Sequence, residues 1–303
     1  MKCTLVLMLL VVFGGPSSAQ RMVEGPAILD YSYYPAVVSE QPGDDQPRSH
    51  RHLQEIFAAV GLPVVHKSSK TLIFPALQYS VLLPEDTGNT RELDALHNPM
   101  LQVLVVHELS ASWQGMLIAG GGLASDLGGK VTADDWMYRV SALASYQFNP
   151  DFRLGAGVDY DRRTGELRPL PLVALDWHFS ETLRLSGVVP ARVMFAWRAA
   201  PSLTMALAGS LTGNRYHISE ERVGVEDAEL AYSMARVGPT VVWHIHPMLH
   251  FRAQAGATIL RRYEVFIGDE RRGDGSLDNG PFFGVRLRVG PSGWRSDAPE
   301  PMF

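Results

Sequence analysis

His217 and Ser219 stand two residues apart in RYHISEER, on the face that also carries Leu203, Leu207 and Leu211. Beside them lie Glu220, Glu221, Glu226 and Asp227. A serine hydroxyl next to a histidine base, with a carboxylate to orient the ring, is the chemistry of a lipid-directed hydrolase in which the imidazole takes the serine proton. A two-residue match carries little weight, because histidine and serine meet at this spacing by chance in many chains. His244 and His246 share a face in VVWHIHP, a spacing that suits two metal ligands, but no third ligand accompanies them and packing in the lumen or at its rim accounts for the pair. The acidic, glycine-rich run from Gly268 to Gly280 departs from the twelve-residue calcium loop. GxSxG, a P-loop and GxGxxG ahead of a helix are all missing. The sequence therefore reads as a non-enzyme, with no catalytic residue, no metal ligand and no cofactor assigned.

The richest chemistry belongs to arginine. Arg139, Arg153, Arg168, Arg184, Arg252 and Arg286 fall on the polar phase of an apolar-polar alternation, together with Arg192, Arg198, Arg236 and Arg288. Asp159 and Asp176 share that phase, and Glu108, Asp135 and Asp161 are further candidate partners. If the polar phase faces the inside of a barrel, these groups line its lumen. Two readings follow. Buried arginines need carboxylates or carbonyls, so they form a network that fills a narrow barrel. Alternatively, an inward excess of positive charge favours anionic solutes in a pore.

The elements that must hold these residues are strands. From Asp135 to Phe148, Trp136, Tyr138, Val140, Ala142, Ala144, Tyr146 and Phe148 alternate with Met137, Arg139, Ser141, Leu143, Ser145 and Gln147. Asn149-Pro150-Asp151 turns the chain, and the scheme repeats through Phe152, Leu154, Ala156, Val158 and Tyr160. A soluble sandwich alternates too, but its polar face is a solvated exterior rich in Lys and Glu. Here the polar face carries Arg, Asp, Ser, Gln and Gly, while the apolar face ends in aromatics, as interfacial girdles do. Hydrocarbon cannot satisfy an open sheet edge, so such strands must close. The expected fold is all-β, a transmembrane antiparallel up-and-down barrel.

Twelve strands are expected, over 71–83, 98–109, 113–124, 134–148, 152–161, 167–179, 182–188, 190–199, 202–215, 229–246, 249–263 and 280–290. The count rises to fourteen if residues 27–66 add a hairpin. In that N-terminal segment, 20–70, Ala27 to Val38 is a candidate strand and Gly61 to His66 a candidate partner for the strand that follows. Leu53, Ile56, Phe57 and Val60 have helical spacing, which predicts a short amphipathic helix over His52 to Val60. Residues 71–290 form the barrel proper and 291–303 an irregular tail. Pro239, mid-strand, predicts a bend or bulge.

Lys2, an apolar run from Leu5 to Phe13, and Ser17-Ser18-Ala19 read as a signal peptide over 1–19 that is cleaved, placing the protein in the cell outer membrane. Cys3, the single cysteine, precedes the run and leaves with it. No other stretch approaches the roughly 18 apolar residues of a membrane helix. With 27 basic against 32 acidic residues and a net charge of -5, no basic surface recommends a nucleic-acid partner. The 46% hydrophobic content excludes a disordered chain.

The signal peptide, YSYYP near the mature start, and the run from Leu72 to Val289 with SGVVPARVMFAW (Ser186 to Trp197) at its centre resemble an uncharacterised family of Gram-negative outer-membrane β-barrels, known as a domain of unknown function. The resemblance implies an outer-membrane barrel and supplies no catalytic residues. Its implied partners are outer-membrane lipid and the barrel-assembly machinery, with a small-molecule solute if the barrel conducts. The strand ending near Val289 lacks the terminal aromatic of many such barrels, since Phe303 follows an irregular tail. A channel or transporter for small solutes is the leading functional reading, against the hydrolase and a non-conducting structural or binding barrel.

Overall fold

The computed structural model describes residues 27–38, 50–62, 66–68, 70–86, 95–161, 168–220, 224–268, 270–276 and 278–290. The expected signal peptide and C-terminal tail lie outside them. The first strands are β1 (Ala27–Val38), β2 (His50–Gly61), β3 (His66–Lys67), β4 (Thr71–Asp86), β5 (Leu96–Glu108), β6 (Trp113–Leu123), β7 (Trp136–Asn149) and β8 (Phe152–Asp161). Then come β9 (Arg168–His178), β10 (Leu183–Val189), β11 (Arg192–Ala200), β12 (Leu203–Ile218), β13 (Ala228–His246), β14 (Leu249–Ile267), β15 (Glu270–Ser276) and β16 (Gly280–Val289).

Of the sixteen strands, β3 and β15 pair only with β4 and β14, and the other fourteen form a closed antiparallel ring. Closure comes from β1 pairing β16, from Ala27 opposite Val289 to Tyr33 opposite Phe283. The main expectation of twelve strands is corrected to the fourteen-strand alternative. Both added strands precede residue 71. β1 is the strand expected there, but β2 occupies the segment read as a helix. The helical spacing misled because both faces of β2 are largely apolar, with Ile56, Ala58 and Val60 opposite outward residues of β1 and Leu53, Phe57 and Ala59 opposite inward ones. What makes it a strand is tertiary: its backbone groups fill the gap between β1 and β4. Pro239 interrupts nothing on the β12 side, where Leu207 faces it in unbroken register. The register shifts of β13 against β14 lie instead at Ser233/Ala235 and His244/His246.

The alternation is plain in β7, where Trp136, Tyr138 and Val140 are 59%, 46% and 42% exposed while Met137, Arg139 and Ser141 are 3%, 8% and 2% exposed. Large apolar side chains thus point out and polar ones point in, the reverse of a soluble protein and the arrangement that hydrocarbon requires. Near the short turns an aromatic girdle runs from ring to ring through Trp113, Tyr146, Phe148, Phe152, Trp177, Phe179 and Phe195. Its neighbouring centroids are 4.1 to 6.2 Å apart. No helix among the described residues is long and apolar enough to cross a membrane.

The wall has uneven height. β10 and β11 have 7 and 9 residues, against 16 in β12 and 19 in each of β13 and β14. At the loop end, the tall β12 leans across to β5 through the segment after β6. His97 and Ser125 exchange backbone hydrogen bonds of 2.8 and 3.0 Å, His217 N donates to Ala124 O at 2.9 Å, and Asp126 N donates to His217 O at 3.2 Å. The bridges His97–Ser125 and Ser125–His217 close a second, smaller ring above the low wall. That ring is filled by Leu82, Leu96, Met100, Met137, Tyr216 and Ile218. Below this plug, Tyr34, Met234 and Phe282 form a further apolar cluster. The described part of the loop end is therefore roofed, and a cavity lies beneath it.

Candidate functional site: an arginine-lined cavity

Under the roof lies a cavity of about 270 Å³, lined by Arg153, Arg184, Arg192, Arg236, Arg252 and Arg286 with two carboxylates, Asp30 and Asp176. Its apolar wall includes Met116 and Leu143, and it reaches the low rim at Val188 and Ala191. Register builds the site. On one row Asp30 of β1 faces Arg286 of β16, which faces Arg252 of β14. On another, Arg192 of β11 faces Ser210 of β12, which faces Arg236 of β13.

The guanidinium groups are held to different degrees. Arg286 Nε donates to Asp30 Oδ2 at 2.5 Å, and Arg184 grips Asp176 with two donors at 2.7 and 3.0 Å. Bidentate and charge-assisted bonds of this kind fix side-chain orientation. Arg236 donates to Ser32 Oγ at 3.1 Å and Tyr34 Oη at 2.8 Å, with Glu55 at 3.9 Å. Arg153 donates to Gln147 Oε1 at 2.9 Å. Arg252 donates to Gln254 Oε1 at 2.7 Å, and no carboxylate among the described residues pairs with it. It sits within the electrostatic reach of Arg192, Arg286 and Arg236, and of the Asp30 carboxylate beyond Arg286.

Of the other residues singled out in the sequence, Arg139 and Asp159 lie apart from this cavity. Arg139 Nε is 3.5 Å from both Asp159 and Asp161, and Ser141 Oγ donates to Asp159. This is a buried, satisfied network. Arg168 stands opposite Asp161 in the β8–β9 register, and its side chain is outside the described residues. Asp135 bonds His217 and no arginine. Asp30 and Glu55 escape the sequence reading, whose candidate carboxylates all lie within residues 71–290; in AILDYSYYP, Ile28, Asp30, Ser32 and Tyr34 share one phase, which is the signal that reveals Asp30.

His217 and Ser219 are buried within the roof, each tied to its own aspartate. His217 Nδ1 lies 3.0 Å from Asp135 Oδ1, while Ser219 Oγ donates to Asp126 Oδ2 at 2.9 Å. Among the described residues no hydrogen bond joins serine to histidine; each instead ties β12 to the segment between β6 and β7 through its own aspartate. Burial pushes the Asp135 carboxyl up, but hydrogen bonds from Ser125, Thr132 and His217 outweigh it and hold it below its ordinary value. His244 and His246 also part company. His244 meets Thr204 and His250, while His246 Nδ1 accepts from Met248 N in the turn.

Residues 48–270 match the family described as a domain of unknown function, DUF6268. The chain belongs to that family. No curated protein matches it in sequence. Among solved structures, the COG4313 outer membrane channel from Pseudomonas putida F1 is similar at 11% identity and TM-score 0.48, over 91% of this chain and 99% of that one. A Pseudomonas aeruginosa FadL homologue is similar at 10% identity and TM-score 0.41, over 88% and 90%. The Pseudomonas putida toluene transporter TodX is similar at 10% identity and TM-score 0.38, over 88% of each chain. In this DUF6268 barrel the matched segment spans β2 to the start of β15 and holds Arg252, whereas Asp30 and Arg286 lie on the flanking strands that close the ring.

Proposed function

We propose that this DUF6268 barrel is an outer-membrane channel for small anionic solutes. The observation that carries the reading is the lining of the cavity: six arginines against two aspartates, with Arg252 and Arg286 facing each other. A low-dielectric wall concentrates that positive potential on the lumen and raises the local concentration of anions. Across the ring, Met116 and Leu143 offer an apolar surface to the remainder of such a solute. Because the roof covers the loop end, the solute enters at the low rim beside Val188 and Ala191. Export with removal of residues 1–19, insertion by the barrel-assembly machinery and contact with outer-membrane lipid belong to the same reading.

The test is ion selectivity. The full-length protein reconstituted in planar bilayers under a potassium chloride gradient should show a reversal potential of anion preference, and Arg252→Ala should reduce it. Absence of any conductance, or a cation preference in the wild type, overturns the proposal.

A further inference from the structure

A second cavity, also about 270 Å³, opens among the loops above the roof and is lined by Thr132, Asp134, His217, Ser219, Glu226 and Asp227. Here Asp134, His217 and Asp227 each offer a ligand atom, all within 4.8 Å of one another. They come from three separate stretches: the β6–β7 link, the end of β12 and the β12–β13 link. We infer that these three residues form a binding site for a zinc-class divalent cation that ties the outer loops together.

Two independent features point to an ion. The first is the donor set: one imidazole and two carboxylates supply mixed nitrogen and oxygen ligation, with two negative charges to match a divalent ion. Imidazole selects borderline cations over calcium or magnesium, which take oxygen ligands. The second is His217 itself. The residue is 8% exposed, its Nδ1 is bonded to Asp135, and its Nε2 has no protein partner among the described residues. His217 lines the cavity, so the ring sits in a nearly buried, oriented position with one nitrogen open to a ligand from the cavity side. Asp135 in turn is 2% exposed and accepts from Thr132 N at 2.6 Å. A carboxylate behind one ring nitrogen, fixing the tautomer so that the other can ligate, is the support that metal-bound histidines characteristically have.

The geometry closes with small movements. Ligands around a tetrahedral zinc lie about 3.3 Å apart, from metal–ligand lengths of about 2.0–2.2 Å. Asp134 and Asp227 are exposed, so side-chain rotation brings them in while His217 stays fixed. Water completes the coordination, as in zinc sites with three protein ligands.

The experiment uses the full-length barrel in detergent micelles, stripped with chelator and titrated calorimetrically with zinc chloride and, separately, calcium chloride. The wild type should take up a single zinc ion at this site and ignore calcium. Asp134→Asn and Asp227→Asn, both at exposed positions, should weaken zinc binding by roughly tenfold or more. Their heat-modifiable gel mobility should match the wild type, which separates loss of a ligand from loss of the barrel. Three results overturn the inference: no zinc uptake by the wild type, undiminished uptake in both folded variants, or calcium bound in preference to zinc. None of them bears on ion selectivity of the cavity below.

Discussion

Arg252 and Arg286 are direct register partners across β14 and β16, two cationic side chains on one inward row with Asp30 beyond the second. Asp30 neutralises Arg286 and leaves Arg252 facing a like charge. Like charges directly opposite one another in a sheet repel, at a cost of about 0.2–1 kcal/mol. Arg252→Gln should therefore leave the folded barrel as stable as the wild type or raise its unfolding free energy by up to about 1 kcal/mol, measured by urea titration in detergent. A marked loss of stability would show that Arg252 is a structural partner.

Asp30→Asn tests the other end of the row. The substitution strips Arg286 of its counter-charge, and the half-buried pair loses about 1–3 kcal/mol. The same change removes one of the two carboxylates lining the cavity. Anion preference in planar bilayers should rise even as stability falls. A drop in both would mean that Asp30 serves the anion site by holding Arg286 in place, not by setting the charge of the lining.

Asp126 holds the roof. Its carboxylate accepts from Ser219 N at 3.2 Å and from Ser219 Oγ at 2.9 Å, deep beneath the loops. Asp126→Ala should free the segment after β6 from β12 and expose it to added protease at the loop end, with the ring of fourteen strands intact. Limited proteolysis followed by mass spectrometry of the fragments reads this directly. Ser219→Ala should loosen the same segment to a smaller degree and leave any release of fatty acid from phospholipid indistinguishable from wild type.

Much of the architecture was legible in the chain because it is local. Successive side chains of a strand alternate between faces, so the exposed Trp136, Tyr138 and Val140 and the buried Arg139 and Ser141 of β7 announce a lipid-facing ribbon from a dozen residues. Each of the twelve strands expected after residue 70 is present, with ends displaced by a few residues. Arg139 and Arg184, both buried, follow the same alternation.

Other features became readable only in three dimensions. β2 has apolar residues on both faces, so no period distinguishes strand from helix, and only the unpaired edges of β1 and β4 decide the matter. Which arginine finds which carboxylate depends on register between strands distant in sequence: Asp30 and Arg286 are 256 residues apart. The pairing of Ser219 with Asp126 and of His217 with Asp135, in place of a bond between serine and histidine, depends on a bridge at Ser125 between β5 and β12. Sequence by itself determined that a closed ribbon with a greasy exterior and a polar interior would form, because alternation is a property of neighbouring residues. Only the tertiary structure decided the strand count, the roof and the charge left over at Arg252, because those depend on contacts that closure alone brings together.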